Sequence, residues 1–383
     1  MKNFQLPSQI LSFINTSENE ILSLLKELAV IPAPSKNENK RAEFCLEKFK
    51  DFGYKNAYVD SVKNVVCPIN CENAEDIVVF CAHTDIVFPD TTPLPLFDDG
   101  KHLHCPGIGD DTACLVLLML TAKYIAKCKL TPSRGILIVA NSGEEGLGNL
   151  VGIKQIMRDY KNVSKVFTFD GQYNAVVNRC VGSHRYEISI KTEGGHSFSN
   201  FGKLNSLSVM SELIYSLYKC NVPKKENCKT TYNVGTAEGG TSVNTIAQSA
   251  TFTYEYRSDD TECLLIMKNS FESALQNIKT TYPEAEIEVK LIGDRPCGSE
   301  NVDSEVLKKM TEDVIFVSEK YSGIPCSATS GSTDCNIPMS MEIPAVCVGS
   351  FIGSGAHTRE EKVLKSSLII GLKITAHVIL SNF

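Results

Sequence analysis

Two runs of consecutive apolar residues restrict this chain to few folds. Ile77 to Cys81 (IVVFC) and Gly135 to Ala140 (GILIVA) are apolar at every position, and a third, β-rich run, KVFTF, precedes Asp170. A strand with one wet face alternates apolar and polar residues; a strand covered on both faces does not. These runs are therefore read as strands of a parallel sheet lying between helical layers, an α/β fold. They also end alike, in His83-Thr84-Asp85, in Glu144-Glu145 after Asn-Ser-Gly, and in Asp170. In open α/β sheets, sites form beyond the carboxyl ends of the strands, where these residues fall.

Two further segments complete the pattern. CPGIGDDTACLVLLML reads as a glycine loop feeding a helix, with Asp110 near the cap, and FIGSGAHTREE puts His357 after a glycine-rich turn. Each segment alone has an ordinary explanation, such as a strand-end histidine or acids that cap a helix. Together they match a paired-ion site, in which two zinc ions about 3.5–4 Å apart share one carboxylate and take further protein ligands each. Asp110 is placed to bridge, His83 and Asp170 to complete one ion, and Glu145 and His357 the other. Glu144 remains as a general base for an attacking water. Asp85, two residues from His83 on an extended segment, is expected to take the hydrogen of the histidine's second ring nitrogen. The ligand mixture of nitrogen and oxygen suits two divalent ions, zinc by default, with cobalt or manganese also accommodated.

The chain resembles the dinuclear zinc peptidase family of carboxypeptidase G, acetylornithine deacetylase, succinyl-diaminopimelate desuccinylase and peptidase T. His-x-Asp, Asp-Asp after glycines, Glu-Glu-Gly, the strand-end Asp and a late Gly-x-His occur in that family's order. The similarity runs from about Leu22 to the C-terminus, and HTDIVFPD, GIGDDTA and EEGLGN are most like the peptidase T branch. One departure is Thr112, where many relatives carry Lys. The resemblance implies the ligand roles above and a metal-dependent amide-bond hydrolase, expected to be a di- or tripeptidase. An N-acyl-amino-acid deacylase is the alternative by the same mechanism.

Residues 181–292 read differently from their flanks, as strand, helix, two strands, helix and strand, a two-layer α+β block. Since His357 follows this block and the other proposed ligands precede it, it is expected as an insertion into a catalytic domain of residues 1–180 and 293–383, with hinges near Gly182 and Gly293. The resemblance implies that the inserted domain is a lid and homodimer face, that His196 reaches the partner's site to stabilise the oxyanion, and that Asn244 and Arg257 hold a substrate carboxylate. A planar guanidinium suits that last role. Asp334, in TSGSTDCNIP, is read as a contact to the substrate's amine.

Composition narrows the remaining options. At 383 residues the chain exceeds what one core usually supports. A net charge of −7 offers no basic footprint for nucleic acid, and no run approaches the roughly 20 apolar residues of a membrane span. Fifteen cysteines without a Cys-x-x-Cys pair read as reduced, mostly buried thiols, hence a cytoplasmic expectation, and argue against a thiol redox protein. A non-catalytic relative would have lost ligands or the base, and none is missing here.

Overall fold

A computed structural model describes residues Met1–Phe383. The chain divides into two compact units, Met1–Cys180 with Gly298–Phe383, and Val181–Cys297.

The first unit is built on an eight-stranded sheet. Its order is Tyr58–Val59, Val65–Ile69, Gly135–Asn141, Ile77–His83, Val163–Phe169, Ala345–Val348, Ala175–Cys180 and Ser327–Gly331. The four middle strands, Gly135–Asn141 to Ala345–Val348, run parallel to one another. Antiparallel pairing enters at the edges. Ile77–His83 and Gly135–Asn141 bury every residue, as their unbroken apolar runs require. Helix Cys114–Lys127 is covered on all sides from Cys114 to Ala122 and packs against helix Lys365–Leu380.

Register decides what meets at the sheet's carboxyl edge. His83 pairs with Asn141, so the turn to Glu144 begins level with His83. Cys81 pairs with Thr168, and continuing that register brings Asp170 level with His83. Val348 pairs with Phe169, so the chain leading to His357 leaves from the same edge. In a small antiparallel sheet, Phe97–Asp98 and His102–His104, which precede Asp110 in sequence, join Gly353–Ser354 and Lys362–Leu364, which bracket His357.

The second unit is a four-stranded antiparallel sheet in the order Thr230–Gly239, Ser249–Ser258, Gly182–Lys191, Glu286–Arg295. Buried residues alternate along its strands, with Ile188 and Ile190 on one and Phe252, Tyr254 and Tyr256 on another. One face is therefore covered, by Val209 and Leu213 of helix Ser206–Tyr218 and Met267 and Phe271 of helix Thr261–Thr281. The unit ends at Cys297 rather than at residue 292, because its last strand continues to Arg295. Gly293 lies inside that strand, paired with Arg185 directly after the bulge at Ile292. No helix is long and apolar enough to cross a membrane. All fifteen cysteines are free thiols.

Candidate metal centre

Asp110 sits in a wide turn, Ile108–Ala113, which enters helix Cys114–Lys127. Two glycines make that turn. Gly107 has φ +73, and a Cβ there would fall 2.4 Å from the Ile86 side chain. At Gly109 a Cβ would meet Phe351 and Glu361 within 3 Å. The tight path delivers Asp110 between two histidines: its Oδ1 lies 3.1 Å from His83 Nε2, and its Oδ2 lies 2.9 Å from His357 Nε2. Glu145 faces His357 from another side, with Oε1 3.3 Å from the same ring nitrogen. Donor atoms of His83, Asp110 and Glu145 all converge within 4.8 Å.

His83 Nδ1 lies 3.0 Å from the backbone oxygen of Asp85 and 3.5 Å from its carboxylate. The expected ring-to-carboxylate bond is thus the longer contact, and the reason is that the carboxylate is engaged elsewhere. Its Oδ1 accepts the backbone N–H of Glu144 at 2.9 Å; its Oδ2 accepts the N–H of Glu145 at 2.9 Å and the Ser35 hydroxyl at 2.6 Å. Burial pushes the Asp85 carboxyl up, but His83, Ser35 and the Glu145 amide outweigh it and hold it below the ordinary range. Asp85 therefore fixes the backbone of both glutamates. Asp111, fully buried beside Asp110, accepts the backbone N–H of His83 at 3.0 Å.

The donor set suits divalent cations. Glu145 Oε1 is buried with no polar contact closer than the His357 ring nitrogen at 3.3 Å, an expensive arrangement for a carboxylate. Burial, with the charges of Asp110 and Glu144, lifts the Glu145 carboxyl to about 7 against the pull of His357. Burial and the charges of Asp110, Glu144 and Glu145 likewise raise Asp170 well above its usual value, against the pull of His83. Cations among these acids would relieve both penalties. His83, Asp110, Asp170, Glu145 and His357 could hold them, with Asp110 between.

The sequence profile of peptidase family M20/M25/M40 matches residues 79–381. The chain belongs to this family. Its fold is similar to that of a tripeptidase from Staphylococcus aureus subsp. aureus Mu50, at TM-score 0.75 and 21% identity over 94% of this chain and 97% of that one. It is also similar to aminopeptidase PepT from Bacillus cereus ATCC 10987, at TM-score 0.73 and 19% identity over 94% and 98%. A third similar structure is YXEP of Bacillus subtilis, a dinuclear metal-binding M20 peptidase, at TM-score 0.64 and 13% identity over 96% and 98%. Membership makes this chain a hydrolase of the peptidase class, and the family resemblance read from the sequence stands.

Three expected substrate residues of this M20 member lie in the second unit. His196, exposed, pairs in a short ladder with Thr245, next to Asn244, whose carbonyl accepts the Ser197 N–H at 3.0 Å. Arg257 is near the opposite end of strand Ser249–Ser258, eight residues from Ser249, or roughly 27 Å along an extended chain. Its guanidinium is already held by Glu255 through two hydrogen bonds of 2.9 and 3.0 Å. His196 and Asn244 are thus together, and Arg257 is apart from them. Asp334 belongs to the first unit, but it is only 3% exposed and its Oδ2 accepts from Asn141 Nδ2 at 2.6 Å. Burial and the Glu144 charge raise its carboxyl to about 7.

Two residues of the centre carry no signal in the sequence. Glu361, 2% exposed, accepts the backbone N–H groups of Gly107, Gly109 and Asp110 at 2.6, 2.8 and 2.8 Å. It holds the turn that presents Asp110. Arg41, fully buried in helix Asn39–Asp51, donates to Ile31 O at 2.8 Å and to Thr84 O and Thr112 Oγ1 at 3.0 Å each. Thr112 therefore serves as an acceptor for a buried cation that ties the His83-Thr84-Asp85 segment to the Asp110 turn.

Proposed function

We propose that this chain hydrolyses peptide bonds in di- or tripeptides with a pair of divalent metal ions, zinc in the first instance. The observation that carries this reading is Asp110, whose two carboxylate oxygens face two different histidines, as a bridging acid must. His83 with Asp170, and His357 with Glu145, would hold the two ions. When bound, such ions polarise the scissile carbonyl and make an attacking water more acidic.

The remaining chemistry belongs to the chain. The Glu144 carboxylate takes a proton from the attacking water and returns it to the leaving nitrogen. Asp85 sets the position of Glu144 through the Glu144 amide. His196 stabilises the oxyanion and Asn244 binds the substrate's carboxylate; Arg257, apart from both and held by Glu255, would meet that carboxylate from the other protomer of the homodimer, by exchanging Glu255 for it. Asp334 acts through Asn141 rather than on the substrate's amine, because it is buried and hydrogen-bonded there. The second unit serves as lid and homodimer face; its edge strand Thr230–Gly239, largely exposed, supports that assignment. Fifteen free thiols support a reducing, cytoplasmic setting.

Hydrolysis of matched dipeptides, tripeptides and N-acetyl amino acids tests the substrate class. Cleavage of the free peptides, abolished by chelation and restored by zinc, is the expected result. Turnover of N-acetyl amino acids alone would replace the peptidase reading with deacylation.

A further inference from the structure

Only one other group of three or more His, Cys, Asp or Glu side chains converges as tightly as the interior centre does. It is formed by Asp99, His102 and His104, whose donor atoms lie within 4.8 Å of one another. We propose that these three residues form a separate, solvent-reachable site for one zinc-like transition-metal ion.

The local sequence builds the arrangement. His102 and His104 stand two apart on strand His102–His104, so their rings share one face, while Leu103 between them is fully buried on the other. The strand is clamped on both sides, by Phe97–Asp98 and by Lys362–Leu364. Asp99 enters from the turn between the first two strands. Its Oδ1 accepts the backbone N–H groups of Lys101 and His102 at 2.8 and 2.5 Å, which fixes the carboxylate. Its Oδ2 is left to face His102 Nδ1 at 3.1 Å and His104 Nε2 at 2.9 Å.

Two imidazole nitrogens directed at one carboxylate oxygen are ligands for a borderline cation once they lose their protons. Zinc commonly takes three such protein ligands and a water in a tetrahedral shell, and neutral imidazole with carboxylate is a mixture that also admits cobalt and nickel. Binding would replace the N–H bonds to Asp99 and release protons. The three side chains are 22%, 28% and 31% exposed, so an ion can arrive from solvent without opening the fold. The backbone positions the carboxylate before any ion arrives, which lowers the ordering cost of binding. The sheet that carries the site also joins the two sides of the interior centre: five residues separate His104 from Asp110, and Lys362 follows Glu361 directly.

Equilibrium dialysis of the full chain against buffered, low-micromolar free Zn²⁺, followed by elemental analysis, tests the site. His102→Ala/His104→Ala is expected to bind one zinc per chain fewer than the wild type, and Asp99→Asn to weaken the same equivalent. With Co²⁺ as probe, the double variant should lose a visible absorption component that the wild type shows. Ions in the interior centre contribute equally to both proteins, so the difference does not depend on the peptidase reading. Equal zinc content and superimposable Co²⁺ spectra would overturn the proposal and leave the trio as a hydrogen-bonded turn.

Discussion

Glu361 accepts the backbone N–H of Asp110 at 2.8 Å through an oxygen that also accepts from Gly109. The residue that follows His357 by four positions therefore holds the turn from which Asp110 reaches both histidines. Its carboxyl is lifted to about 7 by burial, opposed by those same amides. Removing the carboxylate leaves three buried N–H groups without an acceptor. Glu361→Ala should cost about 3 kcal/mol of stability and roughly 10–100-fold in metal affinity. Denaturant unfolding and competition with a chelator give the two numbers. A stable variant with unchanged metal affinity would show that the turn holds without Glu361.

Arg41 has a similar role at Thr84 and Thr112. Arg41→Met keeps bulk but strands the carbonyls of Ile31 and Thr84 and the Thr112 hydroxyl, which should destabilise the chain by about 3 kcal/mol. Arg41→Lys retains charge without the planar fork and should recover only part of the loss. Thermal unfolding of both variants separates charge from geometry; equal stability of the methionine variant and the wild type would remove Arg41 from the account.

Away from the centre, His377 makes stability depend on pH. It is fully buried, and its Nδ1 and Nε2 lie 2.9 Å from the Tyr321 hydroxyl and 3.2 Å from the Met1 carbonyl. Burial, aided by nearby positive charge, lowers its pKa to about 4. The unfolded chain, with an ordinary value near 6.5, takes up this proton first as pH falls. The contribution is complete above about 6.5 and is lost on going down to about 4, where it amounts to about 3 kcal/mol. His377→Gln keeps a donor and an acceptor but does not titrate. The urea midpoint of the wild type should fall relative to that of the variant as pH drops through that window; parallel curves would mean that His377 does not contribute.

Much of the centre could be read in the sequence because a polar residue that ends an apolar run is conspicuous. His83 and Asp170 stop buried strands, and register alone brings them level. Asp110 was marked by its glycines, both of which the packing requires. Other features depend on partners far away in the chain. Glu361 acts on amides more than 250 residues earlier, and Arg41 lies in NKRAEFCLEKFKD, which looks like a charged surface helix. The longer His83–Asp85 carboxylate contact was likewise hidden, since the Glu144 and Glu145 amides that engage Asp85 come some 60 residues later. Gly293 has the composition of a hinge yet lies where strand pairing continues through a bulge.

Glu144 separates catalysis from metal binding. Glu144→Ala should lower kcat by about 10²–10⁴ while the chain keeps its metal, because the proposed role is proton transfer. Turnover and elemental analysis on the same preparation test this. Loss of metal together with activity would assign Glu144 to the ion shell instead.

Whether one carboxylate serves two ions is decided by the metal content of wild type and Asp110→Ala dialysed against the same buffered zinc. Both proteins retain the surface trio, so the difference reports on the interior centre alone. The variant is expected to lose two ions per chain relative to the wild type, and peptide hydrolysis with them. Loss of one ion or none would contradict a bridging Asp110.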